Sequence, residues 1–194
     1  MKTKLVQGLL AAVAFGAVSL GAAGEAAAIT PVPQGTFKVA AERMAGVSLT
    51  FGGGGDPLFG TGLLWGNPAP LQFPRVGLDY FVIDGLSIGG SAGIQVLAGN
   101  GGSVFVGGIL PRVGYAFALS PSIDFWPRGG IGFIGQDGGG GFGGGGTYGV
   151  LFLEAPFIWN ITPDVGLAFG PALDVNLDAG QTTLGGNAGI VVTF

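Results

Sequence analysis

Apolar and polar positions alternate along most of this 194-residue chain. In the segment 185–194, for example, every second residue counted back from Phe194 is apolar, and the residues between are mostly small or polar. Successive side chains of a β-strand point to opposite faces, so a period of two predicts a strand with one apolar face. Turn residues divide the region 45–194 into about eight such segments, and Asp84 with Gly85 forms the clearest hairpin turn. The pattern therefore predicts an all-β fold.

The chain is more hydrophobic and less charged than a soluble domain. Hydrophobic residues make up 48% and charged residues only 9%, whereas a soluble surface alone carries about 25–35% charged residues. Beyond the N-terminal segment no run of 18 apolar residues occurs, which predicts no membrane helix. A closed barrel satisfies its backbone hydrogen bonds internally and can sit in lipid without helices. We therefore expect a closed, antiparallel, up-and-down transmembrane β-barrel of about eight strands. The alternative is a soluble, lipocalin-like barrel with its charges outside.

The N-terminal segment has the three parts of a secretory signal peptide: a basic start, an apolar run and a small-residue cleavage site. We expect a signal peptide over 1–28 that is cleaved after about Ala28, with Gly24 as a second option. A periplasmic segment over 29–44 would then lead into a barrel over 45–194. A transmembrane anchor is the alternative, but the apolar run is short for one.

The C-terminal segment resembles the closing strand of bacterial outer-membrane β-barrels, because it alternates and ends in the aromatic Phe194. The connections after the second, fourth and sixth segments are short and the others are mostly longer or glycine-rich, as in those barrels. In architecture the chain is similar to the small eight-stranded members of that porin-like family. The resemblance implies a place in the outer membrane, contact with its lipid, and recognition of the last strand by the barrel-assembly machinery. It implies no particular activity, since the family is functionally mixed. We expect a monomer.

Five aromatic residues lie on the apolar faces of the predicted strands, close to a short turn or to the C-terminal end. Outer-membrane barrels carry aromatic girdles at the membrane interfaces. The alternative is that these residues are ordinary strand aromatics. We predict that they form the periplasmic girdle, and they are Tyr80, Tyr115, Phe117, Trp159 and Phe194.

Charged residues of the predicted strands fall almost wholly on the opposite face. An arginine at the bilayer midplane costs about 2–4 kcal/mol, so this sorting places the apolar face toward lipid and the charged face toward the lumen. Centring the glycine-rich hairpin on its turn sets Arg128 opposite Glu154. The lumen network could be a gate or an ion-selective constriction, but an eight-stranded barrel is just wide enough to be filled by side chains. We therefore favour a packed polar core, formed by Arg75, Asp79, Arg112, Asp124, Arg128, Glu154 and Asp174.

The composition also limits the catalytic and binding functions that the chain can have. The chain has no histidine and no cysteine, so the usual Ser-His and Asp-His bases and the common zinc sites are absent. The glycine tract over 138–146 lacks the lysine and the helix of a phosphate-binding loop. A net charge of −4 argues against a nucleic-acid partner. We predict no catalytic, metal-binding or cofactor-binding residues; a carboxylate-only enzyme is the remaining catalytic option, although arginines can pair with the inward acids.

Two functional classes remain open: a structural or surface-interaction barrel, which we favour, and a small pore for ions or small apolar molecules. The apolar loop predicted over 54–72 is the most distinctive surface candidate. Capping the barrel mouth or contacting lipid is a simpler role for it than binding a specific partner. Its candidate contact residues are Phe59, Leu64 and Trp65.

Glycine and proline shape the predicted strands. Glycine accounts for 43 residues, and glycines inside strands would let the side chains opposite them fill a narrow lumen. Proline removes a ladder hydrogen bond, and a closed barrel has no edge to accommodate it. We therefore expect β-bulges at the prolines inside predicted strands, which are Pro74, Pro111, Pro127, Pro156 and Pro171.

Overall fold

The computed structural model contains twelve strands. It describes residues 31–52, 55–63, 73–99, 102–138 and 145–194. The predicted signal peptide and the candidates Leu64 and Trp65 lie outside these residues. No helix in the described part of the chain is long and apolar enough to cross a membrane. The strands are β1 (Phe37–Gly52), β2 (Gly55–Leu63), β3 (Arg75–Ile83), β4 (Leu86–Gly99), β5 (Gly102–Tyr115), β6 (Phe117–Ser120), β7 (Ile123–Phe125), β8 (Arg128–Gly138), β9 (Gly146–Glu154), β10 (Phe157–Asn160), β11 (Val165–Asn176) and β12 (Thr182–Thr193).

The twelve strands form one closed antiparallel barrel of eight. The last strand, β12, pairs with both β1 and β11 and so closes the sheet. Four of the eight barrel strands consist of two segments in line: β2 with β3, β5 with β6, β7 with β8, and β9 with β10. Consecutive barrel strands are neighbours throughout, which confirms the predicted up-and-down topology of about eight strands.

The barrel has two distinct ends. The turn end, as we call it, carries the short connections at Asp84 and Gly85, at Pro121 and Ser122, and over 161–164. The other end, the loop end, carries the connections from β1 to β2, from β4 to β5, from β8 to β9 and from β11 to β12. The C-terminal Phe194 lies at the turn end, where its backbone N–H and carbonyl pair with those of Phe37.

The first strand starts earlier than the sequence predicted. It begins at Phe37, so the barrel includes the second half of the segment 29–44. The register between β1 and β12 shifts between Ala41 and Ala45, and Arg43 adopts a left-handed φ of 55°. The extra residues interrupt the alternation of apolar and polar positions. The first part of the strand therefore shows no period of two in the sequence and was not predicted.

Part of the predicted loop over 54–72 is also strand. Residues of β2 pair with the loop-end half of β1, for example Phe59 with Leu49. The tight connection is possible because Gly52 has a positive φ of 93°. Glycines and a proline give β2 a loop-like composition, but pairing with a long neighbour overrides such weak local preferences. Phe59 points outward and is 71% exposed.

The ladders keep their register at Pro111, Pro127, Pro156 and Pro171, so the bulges predicted at these four prolines are wrong. Pro74 precedes β3 and lies outside its ladders, so the bulge there stays a prediction. Pro127 and Pro156 lie in the two-residue gaps that separate β7 from β8 and β9 from β10. Across these gaps the pairs Phe125–Phe157 and Arg128–Glu154 keep one register. No register shift falls at Pro111, Pro127, Pro156 or Pro171, whereas the shift between β1 and β2 lies between Gly55 and Leu58, a stretch that contains Pro57.

The proline carbonyls keep the barrel wall bonded at these gaps. The carbonyl oxygens of Pro127 and Pro156 accept bonds from the backbone N–H groups of Tyr115 and Trp126, at 3.0 and 2.9 Å. Each proline therefore loses only its own donor, while its acceptor still joins the neighbouring strand. The closed ladder on both sides holds the register, and no extra residue is needed.

Side chains are sorted between the two faces of the wall as the alternation predicts. Along β3, Val76, Leu78 and Tyr80 are 63, 53 and 37% exposed, whereas Arg75 and Asp79 are 3 and 0% exposed. The inverted sorting expected of a soluble barrel is not observed in the described strands. The outer wall is apolar and the charges are enclosed.

Interior glycines provide the room that the enclosed side chains need. A Cβ added at Gly77 would collide with the guanidinium of Arg112 and the carboxylate of Glu42. At Gly130 an added Cβ would collide with the carbonyl oxygen of Pro111 on the neighbouring strand. At Gly135, in the same strand β8, the nearest atom would be 3.7 Å away.

This difference predicts unequal effects of two glycine substitutions in β8. We expect Gly130→Ala to lower the free energy of unfolding by roughly 1–3 kcal/mol or to prevent folding, because the clash is with backbone and cannot relax by a rotamer change. We expect Gly135→Ala to stay within about 0.5 kcal/mol of the parent. Urea unfolding in detergent micelles, followed by tryptophan fluorescence, measures both. Equal unfolding midpoints for the two variants would contradict the packing described here.

Candidate functional site

The charged lumen is the most distinctive feature inside the barrel. The structure places all seven predicted lumen residues inside the barrel and buries them, and β1 adds three more that the sequence analysis assigned to the segment before the barrel. The described lumen thus holds equal numbers of basic and acidic side chains. The basic ones are Lys38, Arg43, Arg75, Arg112 and Arg128, and the acidic ones are Glu42, Asp79, Asp124, Glu154 and Asp174.

Glu154 is the centre of this network. Its Oε1 lies 2.7 Å from Nη2 of Arg75 and 2.8 Å from Nη2 of Arg43. Its Oε2 accepts a bond of 3.0 Å from Nε of Arg128. Arg128 stands directly opposite Glu154 in the β8–β9 ladder, in the register that the hairpin predicted. One carboxylate thus contacts guanidinium groups from three different strands.

A second group links Arg112 to two carboxylates. Arg112 donates from Nε to Asp79 at 2.9 Å and makes a further, shorter contact with the same carboxylate through Nη2. Its Nη1 donates to Glu42 at 2.9 Å. Glu42 also lies 2.8 Å from Nη2 of Arg128, which joins this group to Glu154. The two groups therefore form one continuous network across the lumen.

The irregularity in β1 places two consecutive residues in the lumen. Glu42 and Arg43 would point to opposite faces of a regular strand, but the left-handed backbone at Arg43 turns both inward. Arg43 then pairs fork-to-fork with Asp174, with N···O distances of 2.5 and 2.8 Å. The charge of Glu42 and Arg43 was the signal available in the sequence. In a chain with only 9% charged residues, a charged side chain requires an oppositely charged partner inside the barrel.

A smaller pair lies toward the turn end. Lys38 Nζ lies 3.4 Å from Asp124, which also accepts a bond of 3.2 Å from the side-chain amide of Asn160. Aromatic rings line the network as well. The Arg128 guanidinium lies 4.6 Å from the centre of the Trp126 ring, a favourable distance for a cation–π contact.

Two apolar layers enclose the network. Along β9 and β10, Val150 and Phe152 precede Glu154 on its loop-end side, and Ile158 follows on its turn-end side. The loop-end layer contains Phe73, Val106, Leu110, Ile134, Val150 and Phe152. The turn-end layer contains Val32, Ala40, Phe81, Ala116, Trp126, Ile158 and Val191. The network around Glu154 and Arg112 therefore lies between two apolar plugs.

The segment before β1 covers the turn end. The carbonyl of Val32 accepts a bond of 2.8 Å from the N–H of Gly85, and the N–H of Gly35 donates to the carbonyl of Phe81 at 2.9 Å. The backbone N–H of Gln34 donates to the Asp84 carboxylate at 2.8 Å. These bonds hold the segment across the barrel mouth and let Val32 join the turn-end layer.

Aromatic residues form a band on the outer wall at the turn end. All five predicted girdle residues face outward there, with exposures from 37% at Tyr80 to 75% at Phe194. Ring contacts extend the band to aromatics that were not predicted as girdle residues, for example Phe125 to Phe157 at 5.0 Å. The additional members are Phe37, Phe125, Phe157 and Phe169. The sequence did not identify them as girdle residues, because alternation alone did not define the strand boundaries near Phe37 and near the prolines.

The network offers little for catalysis or metal binding. No group of three or more histidine, cysteine or acidic residues in the described ranges could hold a metal ion. Each lumen carboxylate has a basic partner within 4 Å. Chemically, the arrangement neutralises charge and ties distant strands together.

Comparison with known proteins identifies the fold. No protein-family model and no curated protein sequence matches the chain. Among solved structures, neisserial surface protein A is 17% identical with a TM-score of 0.57, and the match covers 83% of this chain and 100% of that one. The attachment invasion locus protein Ail of Yersinia pestis is 12% identical with a TM-score of 0.54, over 83% and 99% of the two chains. The N-terminal β-barrel domain of Pseudomonas aeruginosa OprF is 12% identical with a TM-score of 0.53, over 83% and 98%.

The network predicts a large effect of removing its central charge. We expect Glu154→Gln to lower the free energy of unfolding by roughly 3–5 kcal/mol, because three guanidinium groups lose a buried carboxylate. The matched control is Asp137→Asn, an isosteric change at an exposed acid of β8, which should stay within about 0.5 kcal/mol. Urea unfolding in detergent measures both.

A second variant separates charge from packing. Within the described residues, Arg75 has its one ion pair with Glu154. Adding Arg75→Met to Glu154→Gln removes an uncompensated buried cation and should recover part of the lost stability. If the double variant is less stable than Glu154→Gln by the full cost of Arg75→Met alone, the two side chains are not coupled.

Proposed function

We propose that this chain, which has the fold of the small eight-stranded outer-membrane β-barrels, is a non-catalytic protein of the bacterial outer membrane that acts through its surfaces. The observation that carries the proposal is the closure of the lumen. A neutralised ion network lies between two apolar layers, and the N-terminal segment covers the turn end. Such an interior suits a rigid support for exposed structures better than a path for solutes.

The outer wall supports a place in lipid. Its strands expose Val, Ile, Leu and Phe side chains, and an aromatic band encircles part of the turn end. We assign the turn end to the periplasm and the loop end to the cell exterior, because the turn end has only short connections and the long glycine-rich connection from β8 to β9 is at the loop end. The expected partner is therefore outer-membrane lipid, with the protein as a monomer. Export after cleavage near Ala28 belongs to the same proposal.

A role without catalysis agrees with the chemistry of the lumen. The chain has no histidine, and the acids of the described lumen are held by arginines or lysine. Contacts with a partner or with surface polysaccharide would then involve the loop end, where β1 and β2 extend the wall and Phe59 is exposed. The small-pore alternative would require the two apolar layers to open.

The sealed lumen predicts the electrical behaviour of the protein. Reconstituted in planar lipid bilayers, the unmodified chain should show no discrete conductance steps, because ions cannot cross the apolar layers. Phe81→Ala combined with Trp126→Ala removes the two largest side chains of the turn-end layer and should raise the ion leak. Regular channels in the unmodified protein that disappear on Arg112→Ala would support the pore instead.

The C-terminal residue predicts a difference between folding and assembly. The Phe194 ring is 75% exposed, and the closing bonds to Phe37 at 2.8 and 3.0 Å are made by backbone atoms. We expect Phe194→Ala to fold in detergent like the parent but to accumulate several-fold less in the outer membrane of cells. Membrane fractionation with immunoblotting measures the amount. Phe169→Ala, which removes another outward ring, is the control, and an equal decrease in both variants would argue against a specific assembly signal.

A further inference from the structure

A recess opens in the barrel wall beside the irregularity of β1. It has a volume of about 30 Å³, enough for about two water-sized groups such as the head of a ligand. It lies between β1, β11 and β12 next to the gap at Pro156. Outward-facing residues at its mouth include Ala188 and Phe169, and Glu42 and Arg128 of the lumen network form its inner side. The recess thus connects the apolar outer wall with the charged interior.

Small residues keep the recess open. Gly170 and Gly189 line it, and an added Cβ at either would collide with a backbone carbonyl, that of Ala155 or Ala41. The register shift in β1 interrupts the β1–β12 ladder at this height. Small residues alone do not make a binding site, so the polar atoms at the inner side decide what the recess can hold.

Two hydrogen-bond donors at the recess have no acceptor. Nη1 of Arg128 and Nδ2 of Asn187 are buried, and neither has a hydrogen-bond partner in the described part of the chain. A carboxylate oxygen of Asp79 lies 3.9 Å from Nη1 of Arg128, beyond hydrogen-bond distance. Arg128 is only 7% exposed, and an unsatisfied buried donor costs about 1–3 kcal/mol. Glu42 Oε1 also lines the recess, but it lies 2.7 and 2.8 Å from Nη2 of Arg112 and of Arg128. An acceptor for Nη1 of Arg128 and Nδ2 of Asn187 would therefore come from a bound group.

Charge and depth restrict the acceptor further. The lumen network already contains equal numbers of positive and negative groups, so an added anion would lack a free counter-ion. Glu42 lies five residues from Phe37 along β1, which places the recess roughly half-way across an apolar band about 25 Å tall. At that depth the surroundings are hydrocarbon, and charged groups are disfavoured. The occupant should be aliphatic and uncharged.

We propose that this recess binds an aliphatic ligand with one uncharged oxygen acceptor, of the type of a protonated fatty acid. The oxygen accepts bonds from Arg128 and Asn187, and the alkyl chain passes Ala188 and Phe169 into the lipid. The inference rests on the membrane location proposed above. It assigns the recess a ligand, which the sealed-barrel function alone does not require.

Tryptophan quenching by brominated fatty acids tests the site. Trp126 is fully buried and its ring lies 4.6 Å from the Arg128 guanidinium, so a bromine beside the ligand head would be close to it. The full chain with Trp65→Phe and Trp159→Phe retains Trp126 as its one tryptophan. The acids are used as methyl esters, which keep the carbonyl acceptor and stay uncharged, because an α-bromine would ionise the free acid. In phosphatidylcholine nanodiscs, methyl 2-bromohexadecanoate should quench saturably. We expect much less quenching by methyl 16-bromohexadecanoate, whose bromine is at the far end, and by 1-bromohexadecane, which has no oxygen.

Three variants locate the binding. Ala188→Phe fills the mouth without touching the ion network, and Asn187→Ala removes one donor; each should weaken binding by about tenfold or more. The matched control is Ala92→Phe, at an exposed outward position of β4, which should leave the affinity unchanged.

The outcomes are distinguishable. Absence of saturable quenching in protein that inserts into nanodiscs overturns the ligand proposal and leaves water as the acceptor. Equal quenching by 1-bromohexadecane, or an equal effect of Ala188→Phe and Ala92→Phe, also overturns it. Failure of the chain to insert would instead contradict the proposed membrane location.

Discussion

The structure depends on the neutralisation of charge inside a barrel of eight strands. An interior of this size is filled by its own side chains, and an unpaired charge there would be costly. The described lumen meets this constraint with five basic and five acidic side chains. Eight of them are joined through Glu154, Glu42 and Arg112, and Lys38 pairs separately with Asp124. The network also connects strands that are distant in the chain, since Glu154 of β9 holds side chains from β1, β3 and β8.

The unusual composition follows from the same constraint. Long arginine side chains fit only where the opposing wall has no side chain, as at Gly77. The prolines are tolerated because the neighbouring ladders keep the register across each gap. The cost appears in β1, where Arg43 adopts a left-handed backbone in order to join Glu42 inside the lumen. The same irregularity opens the recess in the wall.

Alternation in the sequence predicted much of this architecture because each barrel strand has one apolar and one enclosed face. The number of strands, their order and the inward orientation of the Arg75 and Asp174 side chains follow from a period of two. The start of β1 could not be predicted in this way, because the residues between Ala41 and Ala45 break the period. The pairing of β2 was hidden by its glycines, and the effect of the prolines depends on neighbouring strands that a local reading does not include.

We infer that the two apolar layers and the ion network seal the lumen. Thiol accessibility tests it directly, because the chain contains no cysteine. Ser91 is 3% exposed inside the barrel, whereas Ser122 is exposed at the turn end. With a small charged methanethiosulfonate reagent, Ser122→Cys should react in the folded barrel, and Ser91→Cys should react only after unfolding. Similar reaction rates at the two positions in the folded protein would contradict a sealed lumen.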